Sequence, residues 1–439
     1  MTDNPPATQF SKFTQALKIP AEFASHHEDI TDASVIARLN AWKEDMTRSL
    51  EELKIMVQQG QSTRFSAAER AQIIVATAPF ELEHAWTTEK ARLQAAGILQ
   101  DVYESDVAVL MEVLSQHVKP IFKTNPHPLL NMSTGKKLLR PAGGPMASQD
   151  FFETQTWKDD PAAPELVSWC VRHIKAQDYS RLWHLVIPPI MIMLDDYQVL
   201  YKLKGVLIVS ELLARAPQEI LRKTGIDGLI LKALNNCFGH FDHAESPRLI
   251  RLAISASLST ILLTTTEGSA SRFDLLCTLL GEGVIGTIWL YAPRKPAVIT
   301  ASVEALPPLI RGLGAGAARY LKALAPQLVH PLCLLRLGTP SVRLQINSLT
   351  ALETLIETCA SRMRHWTGTI MDGVARCWVT TVEKKSEIDD SEREELMMRL
   401  RAVCGVLARA CPSVVEGEFR RLLQTDRVFD SLLCEEKAP

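Results

Sequence analysis

The feature that most constrains the fold is a regular series of helix starts in the C-terminal part of the sequence. From about residue 166 onward, short dipeptides that end in proline each precede a segment with helical periodicity; they are Ser246-Pro247, Lys295-Pro296 and Thr339-Pro340. The three prolines stand 49 and then 44 residues apart, from 247 to 296 and from 296 to 340. Proline is tolerated in the first turn of a helix, because the N–H that it lacks would have no intrahelical partner there. Each dipeptide therefore predicts the start of a helix.

Apolar residues continue the pattern inside the helices. After the third dipeptide they recur at steps of four, three, three and four, which is one face of an α-helix; they are Val342, Ile346, Leu349, Leu352 and Ile356. Other apolar helical runs lie between the starts, at residues 182 to 194, 228 to 238, 273 to 290, 319 to 336 and 363 to 382. Two helices per unit and a period of about 40 to 47 residues are typical of HEAT or armadillo-like repeats. We therefore predict an all-α fold, a HEAT/armadillo-like α-solenoid of antiparallel helix pairs, whose core forms when neighbouring pairs stack.

The sequence divides into three regions by composition and spacing. Residues 1 to 123 contain helical runs without the later spacing, which indicates degenerate repeats or a helical cap. Residues 124 to 165 form a connecting segment, with six prolines and three glycines between residues 124 and 164, which excludes a long helix. Residues 166 to 439 form the predicted repeat array.

The connecting segment carries three large aromatic residues, Phe151, Phe152 and Trp157. Aromatic side chains of this size argue against free disorder, because they can anchor a loop on a groove. Two interpretations remain open, a packed crossing over the surface and a loop that binds a partner. We favour the first and keep the three aromatic residues as candidate interface positions.

An acidic pair, Asp195-Asp196, follows the apolar run IPPIMIML, and it is either a catalytic carboxylate pair or a turn between two helices. Residues 185 to 194 are apolar on nearly every side, as an inner helix would be, and Pro188-Pro189 would kink or start this helix. From Val199 a second helix is predicted. Acidic residues in such a turn cap a helix or pair with a neighbouring basic residue, so we favour the turn over a general acid and base.

Two lysines and a glycine occupy the second helix. Lys202 and Lys204 are predicted to point outward, and we place them with Arg248 on or near an interface. Gly205 inside a helix costs about 1 kcal/mol relative to alanine, which suggests that an adjacent helix packs closely against it.

Composition and motifs argue against several other classes of function. A formal net charge of -2 does not indicate a nucleic-acid or membrane partner. The apolar stretch at residues 275 to 292 contains Glu282 and Gly286, which favours core helices over a membrane span. The N-terminus lacks the pattern of a secretory signal, and the nine cysteines fit small buried residues in a reducing compartment, so the cytoplasm or nucleus is expected. No complete phosphate loop or zinc spacing occurs, and no cofactor or metal is predicted.

The run IPPIMIMLDD at residues 187 to 196, followed by YKLKG at residues 201 to 205, resembles the signature of the Tti2 (Tti-two) family. TGIDGLILKAL at residues 224 to 234 and PRLIR at residues 247 to 251 are similar to the repeat that follows in that family. The motif positions carried over, most of them expected to be structural, are Pro188, Pro189, Asp195, Asp196, Lys202, Lys204 and Gly205.

The resemblance implies a function without catalysis. Members of this family are the smallest subunit of the TTT co-chaperone complex, which contains Tel-two and its two interacting proteins. The complex stabilises newly made PIKK-family kinases by linking them to the ninety-kilodalton heat-shock chaperone. On this basis the chain would bind the larger TTT subunits as a scaffold, in the cytoplasm and nucleus.

Two alternatives remain open at this point. A HEAT-repeat adaptor in nuclear transport or a phosphatase scaffold would share the fold and differ in its partners. An all-helical enzyme with its site at Gly312 to Gly316 would require a concave pocket with converging polar side chains there.

Overall fold

The structure is a computed structural model, and it confirms the prediction of an all-α fold. It describes the chain except for residues 1–6, 24–29, 61–64, 125, 145–150, 154, 334–341, 384–388 and 434–439. About 80% of the structure is helical. The chain forms two compact units, Met1–Ala233 and Leu234–Pro439. The predicted boundaries near residues 123 and 165 rest on composition and spacing and stay a prediction.

The first unit consists of helices and a connecting segment that contains a small hairpin. In chain order they are α1 (Ala7–Ala16), α2 (Ala33–Gly60), α3 (Ala67–Thr77), α4 (Glu89–Val102), α5 (Val107–Glu112), α6 (Ala163–His173), α7 (Tyr179–Leu194), α8 (Val199–Arg215), α9 (Gln218–Thr224) and α10 (Ile226–Asn236), which crosses the boundary between the units. A π-helical turn at Val113–Val118 and a short turn at Lys119–Ile121 extend α5. Helix α8 packs against both α6 and α7, and α2 packs against α4.

The connecting segment is folded against the first unit where it is described. Strands β1 (Leu130–Asn131) and β2 (Lys136–Lys137) pair antiparallel, with Leu130 opposite Lys137. Gly135 forms the turn with φ 65°, and a Cβ there would lie 2.9 Å from Cδ1 of Trp183 on α7. The indole N–H of Trp183 donates to the Gly135 carbonyl at 3.0 Å, which fixes the hairpin on α7.

The second unit arranges its helices in two rows. In chain order they are α11 (Ser246–Thr264), α12 (Ala270–Cys277), α13 (Pro296–Glu304), α14 (Leu306–Leu313), α15 (Leu321–Cys333), α16 (Val342–Thr358), α17 (Thr367–Glu383), α18 (Asp390–Ala410), α19 (Arg420–Thr425) and α20 (Asp430–Leu433). In one row α11 packs on α13, α13 on α16 and α16 on α18. In the other row α12 packs on α14, and α15 packs on α17. Stacked helix pairs produce this alternation, because each pair buries its apolar face against the next.

Two of the three predicted helix starts are confirmed, and of the two roles considered for Pro188-Pro189 the structure excludes the start of a helix. Pro247 and Pro296 lie in the first turns of α11 and α13. Thr339-Pro340 lies outside the described residues. Pro188 and Pro189 do not start a helix, since α7 begins at Tyr179 and both prolines lie buried in its interior. Burial of nearly the whole helix outweighs the intrahelical hydrogen bonds that the two prolines remove.

Two apolar segments of the second unit belong to its core. Helix α12 continues as a π-helix over Thr278–Trp289, so most of the stretch at residues 275 to 292 forms core helix, as predicted. Helix α11 is long and apolar enough to cross a membrane by length and composition alone. However, 56% of its apolar window is buried within the protein, as in the core helix of a folded domain.

Most of the described cysteines are buried, which confirms their predicted role as small apolar residues. The buried ones are Cys170, Cys237, Cys359, Cys377, Cys404 and Cys411. Burial raises the pKa of the Cys377 and Cys404 thiols to about 12. Cys277 and Cys333 are half-buried, and Cys434 lies outside the described residues.

Candidate functional site

The acidic pair lies in the turn between α7 and α8, as predicted; residues 187 to 205 are called the α7–α8 junction below. Helix α7 ends at Leu194, and α8 begins at Val199. Asp196 is fully buried. Its Oδ1 accepts the backbone N–H of Gln198 at 2.8 Å, immediately before the first turn of α8. The carboxylate therefore acts as a local cap at this turn.

The buried Asp196 forms an ion pair with a lysine from the connecting segment. Nζ of Lys158, on the 3-10 helix Thr156–Asp159, lies 2.8 Å from Asp196 Oδ2. The same ammonium stands 4.4 Å from the ring centre of Tyr197 and 4.9 Å from that of Tyr201. Desolvation lowers the pKa of Lys158, and the hydrogen bond to Asp196 opposes that shift. An ion pair next to aromatic rings thus connects the junction to the connecting segment.

Asp195 pairs with a histidine from the same segment. His127 Nε2 lies 2.9 Å from Asp195 Oδ2, and the histidine is almost fully buried. The backbone N–H of Leu129 donates to His127 Nδ1 at 3.2 Å. Because Nδ1 accepts, Nε2 carries the proton and donates to Asp195. Each aspartate is therefore bound to a different partner, which supports the turn interpretation over a carboxylate pair that acts together.

Lys202 does not point outward, so that prediction is wrong. Its side chain is buried, and Nζ donates to the carbonyl of Leu194 at 2.9 Å. The last carbonyls of a helix have no intrahelical partner and carry partial negative charge, which an ammonium satisfies. Lys202 thus caps the C-terminal end of α7 and lies away from any surface.

Lys204 also points toward the interior, contrary to the prediction that it points outward. Its Nζ pairs with Glu165 on α6, whose other carboxylate oxygen lies 3.2 Å from His84 Nε2. Burial alone would raise the pKa of Glu165, but Lys204 and His84 outweigh it and bring the pKa to about 2. Lys204 therefore holds α8 to α6, and its side chain keeps 29% exposure.

Gly205 confirms the expected close helix packing. A Cβ at this position would lie 2.5 Å from the backbone nitrogen and 2.6 Å from Cα of Leu194. Real Cβ atoms do not approach backbone so closely, and the backbone cannot move aside as a flexible side chain can. The absence of a side chain lets α8 contact the end of α7.

The three candidate aromatic residues of the connecting segment have different environments. Trp157 and Phe151 are buried within the first unit, which does not fit direct contact with a partner. Phe152 remains 40% exposed and packs edge to face against Phe151 and Tyr197, itself 56% exposed. The burial favours a packed crossing, and of the three only Phe152 stays a candidate contact.

Arg248 lies in the second unit, apart from the junction residues. It occupies the first turn of α11, and half of its side chain is exposed. Arg248 stays a predicted interface residue.

Side chains pack against two of the three glycines in the segment from Gly312 to Gly316. A Cβ on Gly316 would collide with the ring of Phe273, and a Cβ on Gly312 would touch Leu258 and Leu276. Apolar side chains therefore occupy the space beside Gly312 and Gly316, which does not favour the polar pocket that the enzyme alternative requires, whereas the space beside Gly314 is open.

Comparison with known proteins gives two matches. A model of the Tti2 family matches residues 73–334, which is more than half of the chain and includes the α7–α8 junction. The rat (Rattus norvegicus) protein named TELO2-interacting protein 2 is 24% identical over 178 residues, which cover 39% of this chain. The matched part spans 33% of that relative's length.

Proposed function

Because the chain belongs to the Tti2 family, we propose that it is a non-enzymatic subunit of a TTT-like complex and binds the larger subunits of that complex. The observation that carries this proposal is the family match over residues 73–334, which includes parts of both compact units. The name of the rat relative describes a protein that interacts with TELO2. A TELO2-like protein is therefore the first partner to test for this chain.

The charges of the α7–α8 junction support a structural role for the family motif. Asp196, Lys202 and Glu165 are buried and bound to partners within the first unit. A buried charge is retained at a desolvation penalty, and it requires well-placed partners. We therefore assign these residues to holding α6, α7, α8 and the connecting segment in one arrangement, on which partner-binding surfaces depend.

We also propose a role for the complex as a whole. We propose a HEAT-like scaffold in the cytoplasm and nucleus, which helps newly made PIKK-family kinases reach the ninety-kilodalton heat-shock chaperone. Stacked helix pairs suit this role, because they expose long surfaces along which a large folded partner can lie. Such a role needs no reaction centre.

The test is affinity purification of the tagged full chain from its native cells at moderate salt, with quantitative mass spectrometry. We expect the two larger TTT subunits in near-equal amounts, with PIKK-family kinases and the chaperone in smaller amounts. A tagged Lys158→Met variant provides a control, since loss of the pairing at Asp196 is expected to reduce capture through misfolding. Recovery of nuclear-transport or phosphatase proteins without TTT subunits would contradict the proposal and favour another helical-repeat adaptor.

A further inference from the structure

A groove in the second unit is lined by arginines that lie outside the α7–α8 junction. It lies across the first turns of α11 and α16 and the length of α13, and has a volume of about 530 Å³. Arg248 and Arg251 enter it from α11, and Arg343 enters it from α16. Ala297 and Ala301, one turn apart on α13, form part of its floor. We call this surface the arginine groove.

One carboxylate inside the arginine groove shows which chemistry fits it. Glu304, at the end of α13, places Oε1 2.9 Å from Arg251 and Oε2 3.8 Å from Arg343. Arg251 and Arg343 therefore already approach the two oxygens of a single carboxylate. Two guanidinium groups thus lie within ion-pair distance of one carboxylate, and the contact with Arg251 is also a hydrogen bond.

The positive charge of the groove exceeds its negative charge. The described lining residues include three arginines but one carboxylate, that of Glu304. Arg248 lies 3.6 Å from Glu245 on its own turn, and such an exposed pair is weak. Each guanidinium has five N–H donors, so donors remain for an acidic ligand. The first turns of α11 and α13 add the partial positive charge of helix N-termini.

We propose that the arginine groove binds an extended, Asp/Glu-rich segment of a protein partner. This inference rests on the proposed function, in which the chain acts by binding partners, and it names the chemistry of one contact. Charge complementarity identifies the occupant, and the small side chains of Ala297 and Ala301 leave room for a peptide backbone. Side chains of the bound segment supply carboxylates to Arg248 and Arg343, the two most exposed arginines of the groove.

The direct test uses a fluorescein-labelled peptide of about 12 alternating Glu and Ser residues, with fluorescence anisotropy on the purified full chain. We expect binding that weakens between about 50 mM and about 300 mM NaCl, because salt screens exposed charges. A peptide with Gln in place of Glu is expected not to bind. A phosphoserine peptide that binds where the Glu peptide does not would overturn the assignment to an Asp/Glu-rich segment.

Two kinds of variant separate the groove from general electrostatic attraction. Arg248→Glu with Arg343→Glu is expected to weaken peptide binding about 10-fold or more. Arg420→Glu with Arg421→Glu makes the same charge change at exposed positions of α19 outside the groove, and a loss below about 2-fold is expected because only screened long-range forces change. Ala297→Trp fills the groove without a change in charge and is expected to weaken binding as well. Equal losses from both double variants would overturn the proposal.

The same variants in the affinity purification keep this inference apart from the proposed function. If wild type captures the TTT subunits and Arg248→Glu with Arg343→Glu captures them less well, the groove contributes to partner binding. If the variant captures them equally well, the groove assignment is overturned and the proposed function stands. If wild type captures no TTT subunit, the proposed function fails whatever the peptide shows. Unchanged thermal unfolding of the variant verifies its fold.

Discussion

The α7–α8 junction and the arginine groove both contain conspicuous charges, but they differ in burial. Asp196 of the junction is 0% exposed, whereas the side chain of Arg343 in the groove is 66% exposed. Charged groups of the junction are held by partners within the first unit, and those of the groove lie at the surface of the second. The difference teaches that buried charges can serve the architecture, while exposed charges remain available to a partner.

The difference has a physical cause, because the charges of the junction are removed from water and those of the groove remain hydrated. A buried charge needs opposite charges and hydrogen bonds in fixed positions, so any change nearby lowers the stability of the fold. An exposed arginine keeps its hydration, and its removal leaves the folded state almost unaffected. We therefore expect substitutions in the junction to lower stability and substitutions in the groove to lower binding.

The largest effect is expected for Lys158→Met, which leaves the fully buried Asp196 carboxylate without its cation. We expect the free energy of unfolding to fall by about 3 to 5 kcal/mol, measured by urea denaturation. Asp196→Asn in the same chain is expected to restore part of the loss, because the buried charge is then gone. Lys232→Met at an exposed position is the matched control. An equal loss of stability from the two lysine substitutions would contradict the stabilising role of the buried ion pair.

Gly205→Ala is expected to have the next largest effect. The added Cβ would meet the backbone of Leu194, so α8 must move away from α7, and we expect a loss of about 3 kcal/mol in unfolding free energy. Gly228→Ala on α10 is the control, since its Cβ would come no closer than 3.9 Å to Lys137 Nζ. That control is expected to gain up to about 1 kcal/mol from helix propensity. Similar stability of the two alanine variants would show that the helices are not in close contact at Gly205.

Acid sensitivity of the first unit gives a third test. Glu165 has a pKa of about 2 in the folded chain, below its ordinary value of 4.5. A lowered pKa means that its contribution to stability is present above pH 4.5 and is lost as the pH falls toward 2. Between about pH 5 and about pH 3, the stability difference between wild type and Glu165→Gln is expected to shrink by about 2 kcal/mol. A constant difference in urea unfolding over this range would contradict the ion pair with Lys204.

The smallest effect on stability is expected in the arginine groove. Arg248→Glu with Arg343→Glu is expected to change the unfolding free energy by less than about 0.5 kcal/mol per substitution, because both side chains are largely exposed. The same chain is expected to lose peptide binding, as set out for the groove. A loss of stability as large as that of Gly205→Ala would remove the contrast between the two regions.

Local features of the fold were predictable from the sequence. The helix starts at Pro247 and Pro296, the turn at Asp195-Asp196 and the close packing at Gly205 all follow from rules that involve a few neighbouring residues. The helical face of Lys202 was predicted wrongly, because α8 packs on both α6 and α7 and has no simple outer face.

Partners of the motif residues were not predictable, because they are distant in the sequence. Lys158 lies 38 residues before Asp196, and His127 lies 68 residues before Asp195. Both belong to the connecting segment, whose path no helical periodicity describes. One signal was available, since a buried acidic residue requires a cation and Lys158 follows the aromatic anchor Trp157. The arginine groove combines residues of three helices, and the sequence singled out Arg248 but not Arg251 or Arg343.

The most direct test of the division between an architectural junction and a binding groove is hydrogen–deuterium exchange. It compares the wild-type chain, free and in the complex captured from its native cells. The account predicts slower amide exchange in the complex at the first turns of α11, α13 and α16, with no change at the α7–α8 junction. Slower exchange at the junction, with the arginine groove unchanged, would contradict the division between an architectural motif and a separate binding surface.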